Sequence, residues 1–500
     1  MAETEPTKND EDDANPTLLD QIIREGRIAR ADAGEELQTY ARNLVQEFVS
    51  KVMEKTPPPN RSLVEYITTI IADMDEQIEK QLNAVLHHKA FQEAEATWRG
   101  LHYLVFKAET GTRLKIRVLN VSQMELTDDL DKAIEFDQSA LFKKVYEEEY
   151  GTFGGAPYSM LVGDISFGRS TEDFVLLEKM AEVAAAAHAP FVAAAAPELF
   201  DMESHRELPL PRDLSKIFES AELIKWRSFR KSEDSRYVAL ALPRVLMRLP
   251  YGPDNGMQKV EGIAFREDVS NPNTLETHSK FLWGNPAFVL AERIAMAFSL
   301  HGWTAAIRGV EGGGKVEGLP THTFKTMNGD AALKCPTETP ITDRREKELD
   351  ELGFITLMHC KNTDYAAFFG GRTTNEPITY NTNQANANAR LSAMLPYMLN
   401  ASRFAHYVKV IMRDKIGSFM TEDNVRDYLT TWISDYVLGK DDAGQSIKAK
   451  YPLREARVDV RPIPGRPGAY SAVLFLRPHF QLEELSTSIR LVAELPAPAA

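Results

Sequence analysis

Between Tyr158 and Pro197 the chain carries a β-α-β unit, and this feature does most to limit what the sequence can fold into. YSMLVGDIS is an apolar, β-prone run suited to a buried strand. Ser170 and Asp173 follow with the spacing of a capping box, which supplies partners for the free N–H groups that open a helix. An alanine-rich helix is expected over Phe174–His188, and Pro190–Ala196 returns as a second strand. The expected fold class is α/β, of mixed α+β character, because helical and strand-like stretches flank this unit on both sides.

Upstream, residues 1–16 are acidic and polar and are expected to be a disordered arm. Helices are expected at Leu18–Glu25 and Glu36–Glu54, the second ended by Thr56-Pro57-Pro58-Pro59. Ile67, Ile71, Met74, Ile78, Leu82 and Val85 then recur at spacings of three and four, with Glu, Asp, Lys and Gln between them. That pattern is one apolar stripe along a long helix, suited either to its own core or to an intermolecular helix pair. Leu114, Ile116, Val118 and Asn120 alternate with Lys115, Arg117 and Leu119, the pattern of a half-buried strand after a turn at Gly111.

Downstream of the β-α-β unit, YVALALPRVLMRLPYG from Tyr237 is strand-like. Asn285-Pro286 opens a helix with Phe288, Ala291, Ala295 and Phe298 on its inner face, ending near His301-Gly302. Trp303–Arg308 reads as the next strand and Phe354–Cys360 as another. Helices are expected from Ala387 to Leu438, with a restart at Thr421–Asp423 after Gly417. Strand-like runs at Tyr470–Leu476 and Ser486–Leu491 close the chain, and no internal repeat is visible. The expected divisions are an arm over 1–16, a helical linker arm over 17–60 and a long helix with strands over 61–150. A central α/β domain over 151–385 and a helical and β segment over 386–500 complete them.

Composition narrows the function classes. A net charge of -15 argues against sequence-independent nucleic-acid binding and against docking on anionic lipid. Cys335 and Cys360 are too few for a disulfide framework and are expected to be reduced thiols of a cytosolic protein. No run approaches the roughly 20 apolar residues of a membrane span, and the start resembles neither a signal nor a transit peptide.

Reactive patterns are sparse. GVEGGGKV, Gly309–Val316, satisfies seven of the eight positions of a phosphate loop. Val316 lacks the hydroxyl that would hold Mg²⁺, and Gly318 and Pro320 interrupt the helix that should follow. A mobile glycine-rich surface loop is expected, and a nucleotide-dependent enzyme centred on Lys315 is the alternative function. His87-His88 reads as a helix-end feature, and His359 and Cys360 should face opposite sides of a strand. No catalytic, cofactor-binding or metal-binding residue is assigned, and no enzyme activity is expected.

Six stretches carry a resemblance to a known family. They are LLDQIIREGRIA from Leu18, LNAVLHHKAFQEAEATWRGLHYLV from Leu82, LVGDISFG from Leu161, ALPRVLMRLPYG from Ala241, WGNPAFVLAERIAMAF from Trp283, and MLPYMLNASRFAHYVKVIMRDKIGSFM from Met394. Together they resemble the large sheath subunit family of the bacterial type VI secretion system (TssC, VipB, EvpB). The resemblance implies a phage-tail-sheath-like subunit with terminal strand-exchange arms and no catalysis. It implies pairing with a small sheath subunit (TssB, VipA) and stacking with other copies in hexameric helical rings around an Hcp tube. A cytoplasmic sheath docked on an inner-membrane-anchored baseplate is implied, with disassembly by the ClpV ATPase acting mainly through the small subunit. Neither nucleic acid nor membrane insertion enters this picture.

On that resemblance, Ile67, Ile71, Met74, Ile78, Leu82 and Val85 are candidates for the small-subunit interface, with an internal core role as the alternative. The arm around Leu18–Thr39 and the strands carrying Val473, Phe475, Ile489 and Leu491 are candidates for strand exchange between subunits. Pairing of those strands within their own domain is the other possibility.

Overall fold

The computed structural model describes residues 35–54, 63–252, 265–269, 275–325, 331–418, 420–440, 442–465, 469–479 and 481. The expected arm over 1–16, the helix at Leu18–Glu25, most of the Leu18–Thr39 arm and the run Ser486–Leu491 lie outside them. The chain divides into two compact units, Met1–Val85 with Gln258–Glu267, and Leu86–Met257 with Asp268–Ala500.

In the first unit the two expected helices form, α1 (Glu35–Glu54) and α2 (Leu63–Leu86), the latter ending just past the unit's boundary. The Glu79 carboxylate of α2 accepts the Arg266 N–H at 3.0 Å. On the solvent side Glu76 and Lys80 form an i,i+4 pair at 2.6 Å, the spacing that brings side chains together on a helix surface.

The second unit begins with α3 (Lys89–Lys107) and α4 (Gln123–Lys132). Ser122 and Glu125 form a reciprocal capping box at the start of α4. The β-α-β unit follows as expected: β1 (Leu161–Phe167), α5 (Thr171–Ala187) and β2 (Phe191–Ala195), with the strands parallel. Its helix start differs in one detail. Ser170 caps the helix by accepting the Asp173 N–H at 3.0 Å. The Asp173 carboxylate accepts from the Gly168 N–H at 3.2 Å instead of completing a box.

The remaining strands are β3 (Val238–Leu242), β4 (Val245–Leu246), β5 (Trp283–Gly284), β6 (Lys315–Val316), β7 (Thr323–Lys325), β8 (Ala331–Leu333), β9 (Phe354–His359) and β10 (Ala366–Phe368), then β11 (Leu453–Pro462) and β12 (Tyr470–Pro478). One six-stranded sheet runs in the order β1-β2-β3-β9-β10-β6. Its first four strands are parallel and its last two antiparallel.

Successive residues of β2, β3 and β9 enter two different cores. Phe191, Leu240 and Phe354 pack with Leu177 and Met180 of α5 and with Trp226. Val192, Ala239 and Ile355 pack on the other side with Val289, Leu290 and Ile294 of α6 (Pro286–His301). Burial on both faces explains why these strands read as continuous apolar runs.

α6 starts where the sequence placed it. The Asn285 side chain accepts the Ala287 N–H at 2.8 Å, and Gly302, at φ 77°, ends the helix. Its burial is not confined to one face, because the sheet lies on one side and α3 on another. A Cβ at Gly100 of α3 would come within 2.3 Å of the Phe288 ring, so this close helix crossing needs glycine.

The other long helices of the unit are α7 (Asp343–Glu351), α8 (Asn383–Ser392), α9 (Leu395–Asp414) and α10 (Glu422–Ser434). Thr421 caps α10, the expected restart after Gly417. The hairpin β11–β12 closes a further core with Trp303, Phe404, Leu429 and Val458.

Two expected strands do not form. Trp303–Arg308 makes no ladder: Trp303 stacks on Phe404 with ring centroids 4.4 Å apart, and Asn400 Oδ1 takes the Thr304 N–H. A side-chain acceptor has replaced the strand neighbour. Leu114–Asn120 has the alternation of a strand, but among the described residues no strand pairs with it. Half-burial extends only to Leu114 and Ile116, so the pattern lacks the neighbour it was built to meet.

Candidate assembly surfaces

The stripe on α2 is present and faces solvent. Apart from half-buried Ile67, its members are more than a third exposed, from 38% at Ile78 to 52% at Val85. A Leu, Ile, Val or Met side chain contributes about 1.5–3 kcal/mol when fully removed from water. A regular row of them left partly wet is surface suited to a partner, and periodicity alone could not separate that from a private core.

The hairpin β11–β12 divides its side chains by strand alternation. Tyr470, Ala472, Leu474 and Leu476 turn inward onto the core beneath, while Val473 and Phe475 are left nearly half exposed. Phe475 lies opposite Arg457, whose guanidinium sits 4.3 Å from the ring centroid. Val473 and Phe475 thus pair inside their own hairpin through one edge of β12. Among the described residues no strand occupies the other edge, where main-chain groups can accept a further strand. The structure brings Val473 and Phe475 together on one face; Ile489 and Leu491 lie outside the described residues. Strand β11 was missed in the sequence, although Val458 and Val460 alternate there with Arg457, Asp459 and Arg461.

The tip of the glycine-rich loop, Val310 and Glu311, is exposed as expected, but its two ends are tied to the sheet and form no phosphate cradle. The Gly309 N–H donates to the Phe368 carbonyl at 2.7 Å, Gly314 N–H to Gly309 at 2.8 Å, and Phe368 N–H to Gly314 at 3.0 Å. Those bonds staple the loop to the sheet edge and consume amides that would otherwise face a phosphate. Gly313 has φ 93°, and a Cβ there would lie 2.2 Å from the Ala306 carbonyl oxygen. The chain then enters β6 rather than a helix, so no helix N-terminus backs the loop. Lys315 pairs with Glu317 and lies 4.5 Å from the Tyr365 ring centroid. The hydrogen bond with Glu317 raises its pKa.

A polar cluster scattered in sequence lies deeper. Glu338, with a wholly buried side chain, accepts from Ser204 Oγ at 2.8 Å and from Arg244 Nε and Nη2 at 2.8 and 2.7 Å. The His205 ring contacts Oε2, the oxygen that also accepts from Arg244 Nε, at 3.0 Å. Burial alone would raise the Glu338 pKa, but hydrogen bonds from Arg244, His205 and His278 outweigh it and hold the carboxyl below the usual range. This is a closed ionic lock: its carboxylate is already saturated by protein donors.

His87 and His88 take the helix-end position expected, between α2 and α3. His359 meets Cys335 rather than its neighbour Cys360. A hydrogen bond with Cys335 raises the pKa of His359, whose Nε2 also contacts the Thr363 carbonyl oxygen at 2.8 Å. Among the described residues, no group of three or more His, Cys, Asp or Glu is placed to hold a metal, and no helix is long and apolar enough to cross a membrane.

Residues 68–375 match the VipB family, described as EvpB/VC_A0108, tail sheath N-terminal domain. Residues 384–495 match its companion, the EvpB/VC_A0108 tail sheath gpW/gp25-like domain. Over 479 residues the chain is 47% identical to the type VI secretion system sheath protein TssC1 of Pseudomonas aeruginosa, covering 95% of this chain and 94% of that protein. Likeness to solved structures is remote. A chain of the anti-feeding prophage baseplate aligns at 10% identity and TM-score 0.34, over 64% of this chain and 66% of that one. The sheath of the extracellular contractile injection system PVC, in its contracted state, gives the same identity and score over 64% and 68%. With two adjoining sheath domains matched and near full-length identity to a sheath protein, the chain belongs to the VipB (EvpB) tail sheath family of type VI secretion.

Proposed function

We propose that this chain is the large subunit of a contractile type VI secretion sheath, acting mechanically and not as a catalyst. It pairs with a small sheath subunit of the TssB (VipA) type, and the pairs stack with other copies as hexameric helical rings around an Hcp tube. The tubule docks on a baseplate in the bacterial cytoplasm. Its contraction propels the tube outward, and ClpV disassembles the shortened sheath mainly through the small subunit. The observation that carries this reading is the 47% identity to TssC1 over nearly the full length of both chains.

The surfaces support it physically. A doubly covered sheet is suited to move as a rigid body, because close-packed interiors transmit strain rather than absorb it. The open edge of β12 and the wet stripe of α2 supply contacts of the kinds used between chains: main-chain strand addition and helix-on-helix packing. Free energy is then stored in the extended lattice and released as subunits adopt a tighter one, with terminal arms as hinges.

Electron microscopy of the chain coexpressed with the small subunit tests the reading. Tubules are expected from the intact chain, and none after deletion of residues 1–39 or with Ile489→Pro. Normal tubules from both variants would contradict the role given to the arms.

A further inference from the structure

The ends of β8 and β9 bring a thiol to an imidazole. Cys335 lies just past β8, and His359 is the last residue of β9. A hydrogen bond joins the two side chains, and it is the largest of the effects that hold the His359 pKa above its ordinary value, against burial. His359 Nε2 lies 2.8 Å from the Thr363 carbonyl oxygen. A carbonyl oxygen only accepts, so Nε2 carries the ring hydrogen and Nδ1 of the neutral imidazole is left as the proton acceptor. The arrangement is that of a nucleophile, a base and a group that orients the base.

Two further groups favour a sulfur anion at this point. The Thr337 hydroxyl lies 3.1 Å from Cys335 Sγ and 3.0 Å from the Thr339 carbonyl oxygen, so its one hydrogen can turn to either. The Lys334 ammonium lies 4.5 Å from the Phe281 ring centroid and interacts electrostatically with Cys335; its pKa is lowered to about 8, mainly by burial. Cationic, partly exposed surroundings are those that make a thiol reactive.

The pair is also within reach of solvent. Cys335 and His359 are both half-buried. A recess of about 430 Å³ adjoins them, lined by Leu333, two residues before Cys335, and by Thr363, whose carbonyl orients His359. Asn362 and Asp364 make that lining partly polar. Cys360 supplies a control at the same strand end. It is half-buried too, yet among the described residues neither an imidazole nor a hydroxyl bonds to its thiol.

We propose that Cys335 and His359 form a nucleophile–base pair that takes a small disulfide from solution and leaves Cys335 as a mixed disulfide beside the recess. His359 Nδ1 accepts the thiol proton, and the sulfur attacks one sulfur of the disulfide. One S–S bond forms as the other breaks, and the departing thiolate takes the proton back from the imidazolium. The oxidant is the disulfide itself, half of it retained on Cys335 and half released as a thiol. The proposal is independent of the assembly reading, because all of its groups belong to one chain.

Alkylation of the full-length chain with iodoacetamide, followed at each cysteine by peptide mass spectrometry, reads the pair directly. At neutral pH Cys335 is expected to react at least about tenfold faster than Cys360. That ratio should shrink as pH rises to about 10, where an ordinary thiol ionises without help. His359→Gln is expected to lower the Cys335 rate at least about tenfold and to leave the Cys360 rate unchanged. With glutathione disulfide as probe, the intact chain should gain one glutathionyl group, at Cys335, released by dithiothreitol. Equal rates at neutral pH would overturn the pair. A ratio that holds constant with pH, or a Cys335 rate untouched by His359→Gln, would show that access alone sets reactivity and would overturn the base. Alkylation without glutathionyl transfer would overturn the disulfide as the group taken. Where His359→Gln lowers the melting temperature, the pH profile of the unaltered chain decides.

Discussion

Strand β3 and helix α2 are made of the same kinds of side chain and put them to opposite uses. Val238, Ala239, Leu240, Ala241 and Leu242 are entirely buried, alternating between the two cores of the central sheet. The stripe from Ile71 to Val85 is as regular in sequence and remains 38–52% exposed. In β3 the apolar residues are held by the chain that contains them. In α2 they are left as surface, available to the assembly proposed above. Burial, rather than hydrophobicity, separates a residue that maintains the fold from one left free for a partner.

The comparison breaks if the two regions respond alike to mutation. The largest effect on stability is expected at the sheet. Leu240→Ala should destabilise the isolated chain by about 2–5 kcal/mol, as for other fully buried leucines, read from the midpoint of denaturant unfolding. A loss below about 1 kcal/mol would mean that this core is not tightly packed.

A second, smaller effect sharpens the contrast by pH. Glu346 of α7 is pushed up to about 7 by burial and then by the neighbouring Asp350 carboxylate, against partial relief from Arg308. The folded chain therefore holds this proton between the unfolded pKa of about 4.3 and about 7, where the unfolded chain has released it. Stability from this group should fall as pH rises through that window, by roughly 3–4 kcal/mol at most, and be flat above it. Glu346→Gln should remove the slope, and a variant that keeps it would place the titration elsewhere. Helix α2 carries no such buried carboxylate pair on its stripe, so assembly through it should not follow this titration.

Much of the central fold could be read in the sequence, because caps and periodicity act locally. Ser170, Asn285 and Thr421 each begin a helix where their side chains predict, and β1, β2, β3 and β9 follow from apolar runs. Strand patterns at Leu114–Asn120 and Trp303–Arg308 misled for a physical reason. Alternation reports what side chains prefer, whereas a ladder also needs a neighbour, and Asn400 or open solvent took that place.

Contacts made by distant segments were not legible. Ser204 and Glu338 are 134 residues apart, and no local pattern joins them. The phosphate-loop resemblance failed through the same blindness, since the staples from Phe368 that close the loop lie far along the chain. For the assembly surfaces, the α2 stripe was visible as a period but its exposure was not. Val473 and Phe475 were visible as strand residues, but the free edge beside them was not.

The most direct measurement is a paired one on Ile78→Asp with Leu82→Asp. In the isolated chain the double variant is expected to change unfolding stability by no more than about 0.5 kcal/mol, as for surface positions. Coexpressed with the small subunit, the same variant is expected to lose the complex and all tubules seen by electron microscopy. Tubules of normal yield and length from this variant would contradict the assignment of the stripe to assembly, and unfolding of the isolated chain would return those residues to a core of its own.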